Sequence, residues 1–158
     1  MQKHPSFRTY VSYRLEHVSM AAREASEVVY RHECGMGLRP LRVLRALSEM
    51  PDCTVSEIVE ATMFERSLVS RLIGDLVRDG LISRRICDDD ARQIRLSTTS
   101  KGEAVVAHAY KVGDTLNDDL LSVLASDERE TFYRCLEKLM KWKPGRLLTG
   151  EHRAETET

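Results

Sequence analysis

Nowhere in the 158-residue sequence does an apolar run reach membrane length, which takes about 20 residues of helix. The opening stretch MQKHPSFRTYVSYRLEH lacks the apolar core of a secretory signal. Cysteine is sparse: Cys34, Cys53, Cys87 and Cys135 lie far apart, with no Cys-x-x-Cys pair. Neither a zinc knuckle nor a disulfide framework is suggested, and reduced thiols are expected. His4, His17, His32, His108 and His152 are scattered rather than gathered with Glu and Cys, so no metal site is expected. Also missing are a Gly-rich phosphate loop, a nucleophile in a recognisable setting and a carboxylate pair on opposed elements. No catalytic residue can be nominated, no cofactor is expected, and the chain does not read as an enzyme. With 42% hydrophobic and 31% charged residues, it reads as a single globular domain of cytoplasmic location, with no membrane partner.

A net charge of -1 argues against indiscriminate coating of nucleic acid. Its distribution says more. Residues 1–61 are balanced and residues 102–158 are acidic, whereas residues 62–101 hold eight cations against six anions, and seven of those cations are arginines. Arginine carries the planar fork suited to phosphates and guanine edges.

Phe7, Val11, Leu15, Val18, Ala22, Ala25 and Val29 step by four and three residues. They predict one helix with a single apolar stripe, ended by CGMG. A second helix has Pro40 in its first turn, where the missing N–H is harmless, and Leu41, Leu44 and Leu47 on one side. TVSEIVEA pairs Thr54 with Glu57 in a capping-box spacing. The next helix is predicted from about Arg66 to Asp79, with Val69, Leu72, Ile73 and Leu76 inward and Gly80 as its stop. It leaves Arg66, Ser67, Ser70, Arg71 and Arg78 on its other faces. Two short helices joined by a tight turn, the second presenting hydroxyls and arginines, make a helix-turn-helix.

LISRRIC and RQIRLST both alternate, predicting two strands with Ile82 and Ile86 on one face of the first and Ile94, Leu96 and Thr98 on one face of the second. DDDA between them is a turn, since Asp favours turns and weakens strands. A run of three aspartates in a turn points its carboxylates in different directions and is no magnesium site. The hairpin is therefore a wing, with arginines near its tip placed for a DNA minor groove and aspartates that hold Arg92 in one rotamer. Arg84 and Arg85 read as strand-edge charges or phosphate contacts, and Arg66, Arg78 and Arg95 equally well as solvated charges.

After the wing, Ser100 and Glu103 predict another capping box, followed by a stripe of Val105, Ala109, Val112, Leu116 and Leu120, with Gly113 permitting a bend. Ser126 precedes DERE, acidic residues suited to a helix N-terminus, and Phe132, Leu136, Leu139 and Met140 are expected inward. Residues 144–158 read as a loose tail.

Three segments carry a family resemblance: TVSEIVEATMFERSLVSRLIGDLVRDGLISR, Asp90-x-Arg92 followed by IRLSTTSKG, and LASDERETFYRCLEKL. With these in this order, roughly residues 7–142 resemble the MarR family of winged helix-turn-helix transcriptional regulators. The fold implied is mainly α (α+β), with residues 38–101 as the winged helix-turn-helix and 7–33 and 102–143 as dimerisation helices of a single MarR-like domain. The resemblance implies a homodimeric repressor on the double-stranded DNA of a palindromic operator, released by a small-molecule effector. By residue matching, Ser67, Ser70 and Arg71, with Arg66 beside them, fall where the recognition helix meets the major groove, and Asp90 and Arg92 fall on the wing. Two positions depart from the pattern. Thr98 stands where leucine is usual, and Gly74 sits inside the recognition helix, costing about 1 kcal/mol relative to alanine.

On the first helix Tyr10, Tyr13, Arg14 and His17 flank the apolar stripe, Arg14 and His17 being helical neighbours. A cationic pair beside an apolar crevice suits an aromatic carboxylate, the effector class the resemblance also implies, although an ordinary salt bridge or subunit contact is the commoner use of such a pair. Arg39, Arg42 and His108 are secondary candidates. A thiol-based response through Cys34 or Cys87, or a winged helix used for protein contact alone, are the alternatives; the basic bias of residues 62–101 favours DNA.

Overall fold

The structure is a computed structural model that describes residues 6–86 and 94–143. Two compact units divide the chain, residues 1–118 and 119–158.

In the first unit a 3-10 turn at Phe7–Thr9 precedes helix α1 (Val11–Cys34). Phe7 thus stands outside the helix that the stripe had placed it in, because the Ser6 hydroxyl accepts the Arg8 N–H and turns the chain before α1 starts. Gly35 ends α1 in the left-handed conformation, where a side chain is costly. Helices α2 (Leu38–Glu49), α3 (Val55–Thr62) and α4 (Arg66–Arg78) follow. Thr54 and Glu57 form the expected reciprocal cap of α3. Met63 makes the tight turn between α3 and α4 with a left-handed backbone (φ 57°). Gly80 (φ 70°) stops α4 and releases the chain into the hairpin.

Strands β1 (Ile82–Ile86) and β2 (Ile94–Thr98) pair antiparallel, Ile82 opposite Thr98 and Ile86 opposite Ile94. Cys53 bridges to Leu96, so a single residue before α3 pairs with β2 on the edge away from β1. Alternation holds only at that root. Ile82 and Leu96 are buried, whereas Ile86 is 63% and Ile94 42% exposed, because the hairpin runs outward past the helices that cover its base.

The core of this unit gathers Leu44 and Leu47 of α2, Ile58 of α3, Val69, Ile73 and Leu76 of α4, and Ile82 and Leu96 of the sheet. Its apolar positions are those that the helical and strand periods assign inward.

Helix α5 (Ser100–Leu120) begins differently from the predicted box. Thr99 is the capping side chain, accepting the Gly102 N–H at 3.1 Å. Glu103 reaches Thr98 and Ser48 instead of its own helix start. A second buried group, Tyr30, Leu41 and Ala109, joins α1, α2 and α5. Over it lies Arg45, which donates to the Tyr30 hydroxyl (3.2 Å) and the Ala109 carbonyl (2.5 Å) and sits over the rings of Tyr30 and Tyr110. Gly113 is the gap that admits this clamp: a Cβ there would meet Tyr30 Oη at 2.9 Å and Arg45 Nη2 at 3.2 Å.

In the second unit α6 (Ser126–Met140) starts with the Glu128 carboxylate accepting the Ala125 N–H at 2.8 Å. Phe132 and Leu136 are half-buried, but Leu139 and Met140 are exposed rather than inward, the latter 85%. No described helix is long and apolar enough to cross a membrane.

Candidate nucleic-acid interface

Helix α4 buries one face and offers the other. Val69, Leu72, Ile73 and Leu76 are buried while Arg66, Ser67, Ser70 and Arg71 are exposed. Three- and four-residue spacing sets Ser67, Ser70 and Arg71 side by side on the outer surface. Arg66 donates to the Ser56 hydroxyl at 2.6 Å, tying the start of α4 to α3. Arg71 makes no hydrogen bond or ion pair among the described residues, and its guanidinium is available to a ligand.

The sequence leaves open which arginines of residues 62–101 are engaged within the protein. Arg78 pairs with Asp75 of its own helix at 2.5 Å. Arg95 donates to the Asp52 carbonyl at 3.1 Å and faces Glu57 at 3.9 Å. Arg85 reaches both oxygens of the Asp52 carboxylate at 3.1 Å. Arg84 is exposed without such a partner among the described residues. Asp52 is therefore the organiser of the wing root, a role that nothing in MPDC signals. It holds a left-handed backbone (φ 60°), and its N–H is accepted by the Ser97 hydroxyl. Asp90, Arg92 and Cys87 lie outside the described residues.

Glu57 is held below the usual carboxylate range by the Thr54 N–H and then by the Thr54 hydroxyl. Glu103 is lowered by the hydroxyls of Thr98 and Ser48. Both anions act as fixed acceptors joining the sheet root to α2 and α3. Burial pushes the thiols of Cys34 and Cys53 up. That suppresses the thiolate, the form that oxidants attack. Cys135 is exposed. Among the described residues no three His, Cys, Asp or Glu side chains gather in a way that would hold a metal ion.

The α1 residues proposed for a ligand are brought together only in part. Tyr13 stacks on His17 (centroids 6.3 Å apart) and meets Phe7 edge-on at 5.0 Å. Arg14 turns away to the Arg8 carbonyl at 3.3 Å, and Tyr10 is exposed at the helix start. His108 faces Glu33 at 3.8 Å.

A cavity of about 610 Å³ opens elsewhere, between α1, α2 and α4. Arg39 and Arg42 line it together with Arg23 and Arg31 of α1 and Arg71 of α4, while Tyr10, Tyr13, Arg14 and His17 do not. The spacing of Arg23, Glu27 and Arg31 by four residues was the available sequence signal, a polar helix stripe opposite the apolar one. Glu27 accepts the Leu38 N–H and Arg31, both at 2.8 Å, and these bonds, the backbone one foremost, lower its pKa. Gly37 is what lets that carboxylate approach, since a Cβ there would overlap it.

Comparison with known proteins agrees with this architecture. Residues 35–93 match the model described as the MarR family. The HTH-type transcriptional regulator BilQ of Clostridium symbiosum is 29% identical over 113 residues, covering 72% of this chain and 78% of that protein. The transcriptional regulator HosA of Escherichia coli is 26% identical over 98 residues, covering 62% and 73%. Among solved structures, Bordetella bronchiseptica BpsR, whose DNA binding is regulated by 6-hydroxynicotinic acid, superposes with a TM-score of 0.79 at 18% identity, covering 89% of this chain and all of that one. The reduced form of MarR from E. coli gives 0.75 at 20%, covering 83% and 96%.

Proposed function

Since the chain belongs to the MarR family and is a DNA-binding transcriptional regulator rather than an enzyme, we propose that it acts as a cytoplasmic homodimeric repressor whose α4 helices read the two halves of a palindromic operator. The observation that carries this reading is Arg71, which has no hydrogen bond or ion pair among the described residues and stands on the outer face of α4 beside Ser67 and Ser70. Arg66 and the wing residues Asp90 and Arg92 complete the proposed contact set. In a dimer the two α4 helices stand about 34 Å apart, so that both meet successive major grooves on one face of the duplex.

The dimer reading is supported by apolar surface that a single chain leaves open. Val11, Leu15 and Val18, one stripe of α1, are 62, 41 and 48% exposed. Met140 and Trp142 stand out likewise in the second unit. A stripe of this kind, continuous along a helix, needs a partner surface to be removed from water.

Release by a small effector is the third part of the proposal. The regulation of BpsR by 6-hydroxynicotinic acid supports an aromatic acid, and Tyr10, Tyr13, Arg14 and His17 are its proposed contacts. The effector changes DNA affinity only by its differential binding to the two spacings of the winged units.

Fluorescence anisotropy with duplex from upstream of the protein's own gene, across a salt series, tests the reading. Wild type should saturate at one dimer per site, and Arg71→Ala and Arg92→Ala should each weaken binding at least tenfold, as loss of a charged or bidentate contact does. Equal affinity for that duplex, for random duplex and for both variants refutes it.

A further inference from the structure

Helix α5 carries the chain from β2 to the second unit, and one side chain of α2 grips it partway. Arg45 Nη2 donates to the Ala109 carbonyl of α5 at 2.5 Å and to the Tyr30 hydroxyl of α1 at 3.2 Å. In a helix that carbonyl also serves the N–H four residues on, which belongs to Gly113. One oxygen is therefore shared between two donors, and its helical partner is the weakest helix former after proline. A side chain that enters the helical hydrogen-bond ladder is one cause of helix bending. Gly113 also leaves the opening through which the guanidinium reaches the backbone, since a Cβ there would meet Tyr30 Oη at 2.9 Å and Arg45 Nη2 at 3.2 Å.

The grip is supported on one side and opposed on another. The Tyr110 ring lies 4.9 Å from the guanidinium, and its hydroxyl donates to Glu49, about one turn beyond Arg45, at 2.7 Å. Accepting that bond, Glu49 raises the Tyr110 pKa, so the hydroxyl remains a donor. Arg45 itself makes no ion pair among the described residues, and its Nε is buried without an acceptor. An N–H left unsatisfied works against engagement. Release would free a half-buried side chain without opening the core around Leu44 and Ile73.

We propose that Arg45 is a positioning residue for operator binding: engaged, it fixes the course of α5 at Ala109 to Gly113 and so the spacing of the two α4 helices in the dimer; released, it lets α5 bend there. The proposal rests on the dimeric regulator reading above and adds to it a residue that touches no DNA. With both α4 helices held at one spacing, the second half-site contact is an intramolecular step at high effective concentration. A loosened α5 lowers that concentration and leaves each single contact as it was. By linkage, operator DNA in turn favours the engaged clamp.

Anisotropy with the full-length protein compares three duplexes: the operator delimited by footprinting upstream of the protein's own gene, one half-site of it, and a random sequence. Arg45→Met, which keeps an apolar stem and removes the guanidinium, should weaken full-site binding at least fivefold and half-site binding less than twofold. Gly113→Ala, which crowds the guanidinium out of its opening, should also weaken the full site. The double variant should bind within twofold of Arg45→Met, because both changes remove one interaction. Hydrogen exchange should find the Gly113 amide at least tenfold less protected in Arg45→Met, and more protected in wild type when operator is bound. Thermal melts confirm that each variant folds. Equal losses on half-site and full site overturn the proposal and leave Arg45 a support of the winged fold. Unchanged full-site affinity, or additive losses in the double variant, overturn it as well. A wild type that prefers no duplex refutes the regulator reading, while exchange still decides the clamp: lost protection at Gly113 supports it and unchanged protection overturns it.

Discussion

Two helical glycines should respond in opposite directions to the same added methyl group. Gly74 lies inside α4, and a Cβ built there has nothing within 4 Å. Gly74→Ala therefore gains only the intrinsic helix preference of alanine, about 0.8–1 kcal/mol, through a less disordered unfolded chain. Gly102 sits in the first turn of α5, where a Cβ would overlap the Leu81 carbonyl oxygen and approach Leu44 Cδ1 at 3.4 Å. That oxygen cannot retreat, because it accepts the Thr99 N–H at 3.0 Å and the Thr99 hydroxyl at 3.2 Å. Gly102→Ala must separate α5 from the root of β1, an overpacking cost of about 1–3 kcal/mol that exceeds the propensity gain. Thermal unfolding at fixed protein concentration is the assay, since a dimer's melting point depends on concentration. Gly74→Ala should raise the midpoint by about 2–3 °C, and Gly102→Ala should lower it by a similar or larger amount. Operator affinity of Gly74→Ala should stay within about twofold, since the added methyl group lies among the half-buried positions of α4 and removes no proposed contact. A destabilised Gly74→Ala, or a Gly102→Ala as stable as wild type, refutes the packing argument.

Removing the α3 cap with Thr54→Ala should cost about 1 kcal/mol, read as a shift in urea midpoint at unchanged slope. Glu27→Gln should alter the acid limb of the stability curve: the folded-state pKa of Glu27 is lowered, so its contribution is complete above the unfolded value of about 4.3 and is lost as pH falls through the lower folded value. Wild type and variant should therefore differ in melting point at pH 7 and converge toward pH 2. Placing glutamates on the open stripe with Leu15→Glu and Val18→Glu should convert a dimer to a monomer in light scattering coupled to size exclusion. Asp52→Ala should remove the Arg85 ion pair at the wing root and weaken operator binding by a few-fold, without the loss expected of a base-reading contact.

Elements with a strong period were legible in the sequence. Leu41, Leu44, Leu47, Val69, Leu72, Ile73 and Leu76 were placed inward by helical spacing alone and are buried, because local pattern and tertiary burial obey one constraint. Thr54 and Glu57 were equally plain, since a capping box is complete within four residues. What failed depended on partners distant in sequence. Glu103 carries the right spacing for a box with Ser100, but Ser48 and Thr98 outbid the helix start for its carboxylate. Ile86 and Ile94 alternate correctly, yet the elements that would cover them end at the hairpin root. Leu139 and Met140 keep an amphipathic spacing whose apolar side is open in the single chain. The helix-turn-helix surface was readable because Ser67, Ser70 and Arg71 follow one another on one helix. The arginine cavity was not, because it assembles Arg23, Arg39 and Arg71 from three elements, and no period links them.

The hairpin is tied where Cys53 bridges Leu96, opposite Arg84, while Ile86 and Ile94, the last pair among the described residues, stand two residues farther along each strand. At about 3.4 Å per residue the ribbon beyond that tie is an arm about 7 Å long. A tilt of about 10° at its base moves its far end by about 1 Å, enough to carry a hydrogen bond of about 2.9 Å beyond its working range. The hinge of that arm is Asp52, one residue before the Cys53 bridge and two before the cap of α3. Any shift of α3 within the core is therefore magnified at the outer end of the ribbon, and a change too small to see in the packing is large enough there to switch a contact.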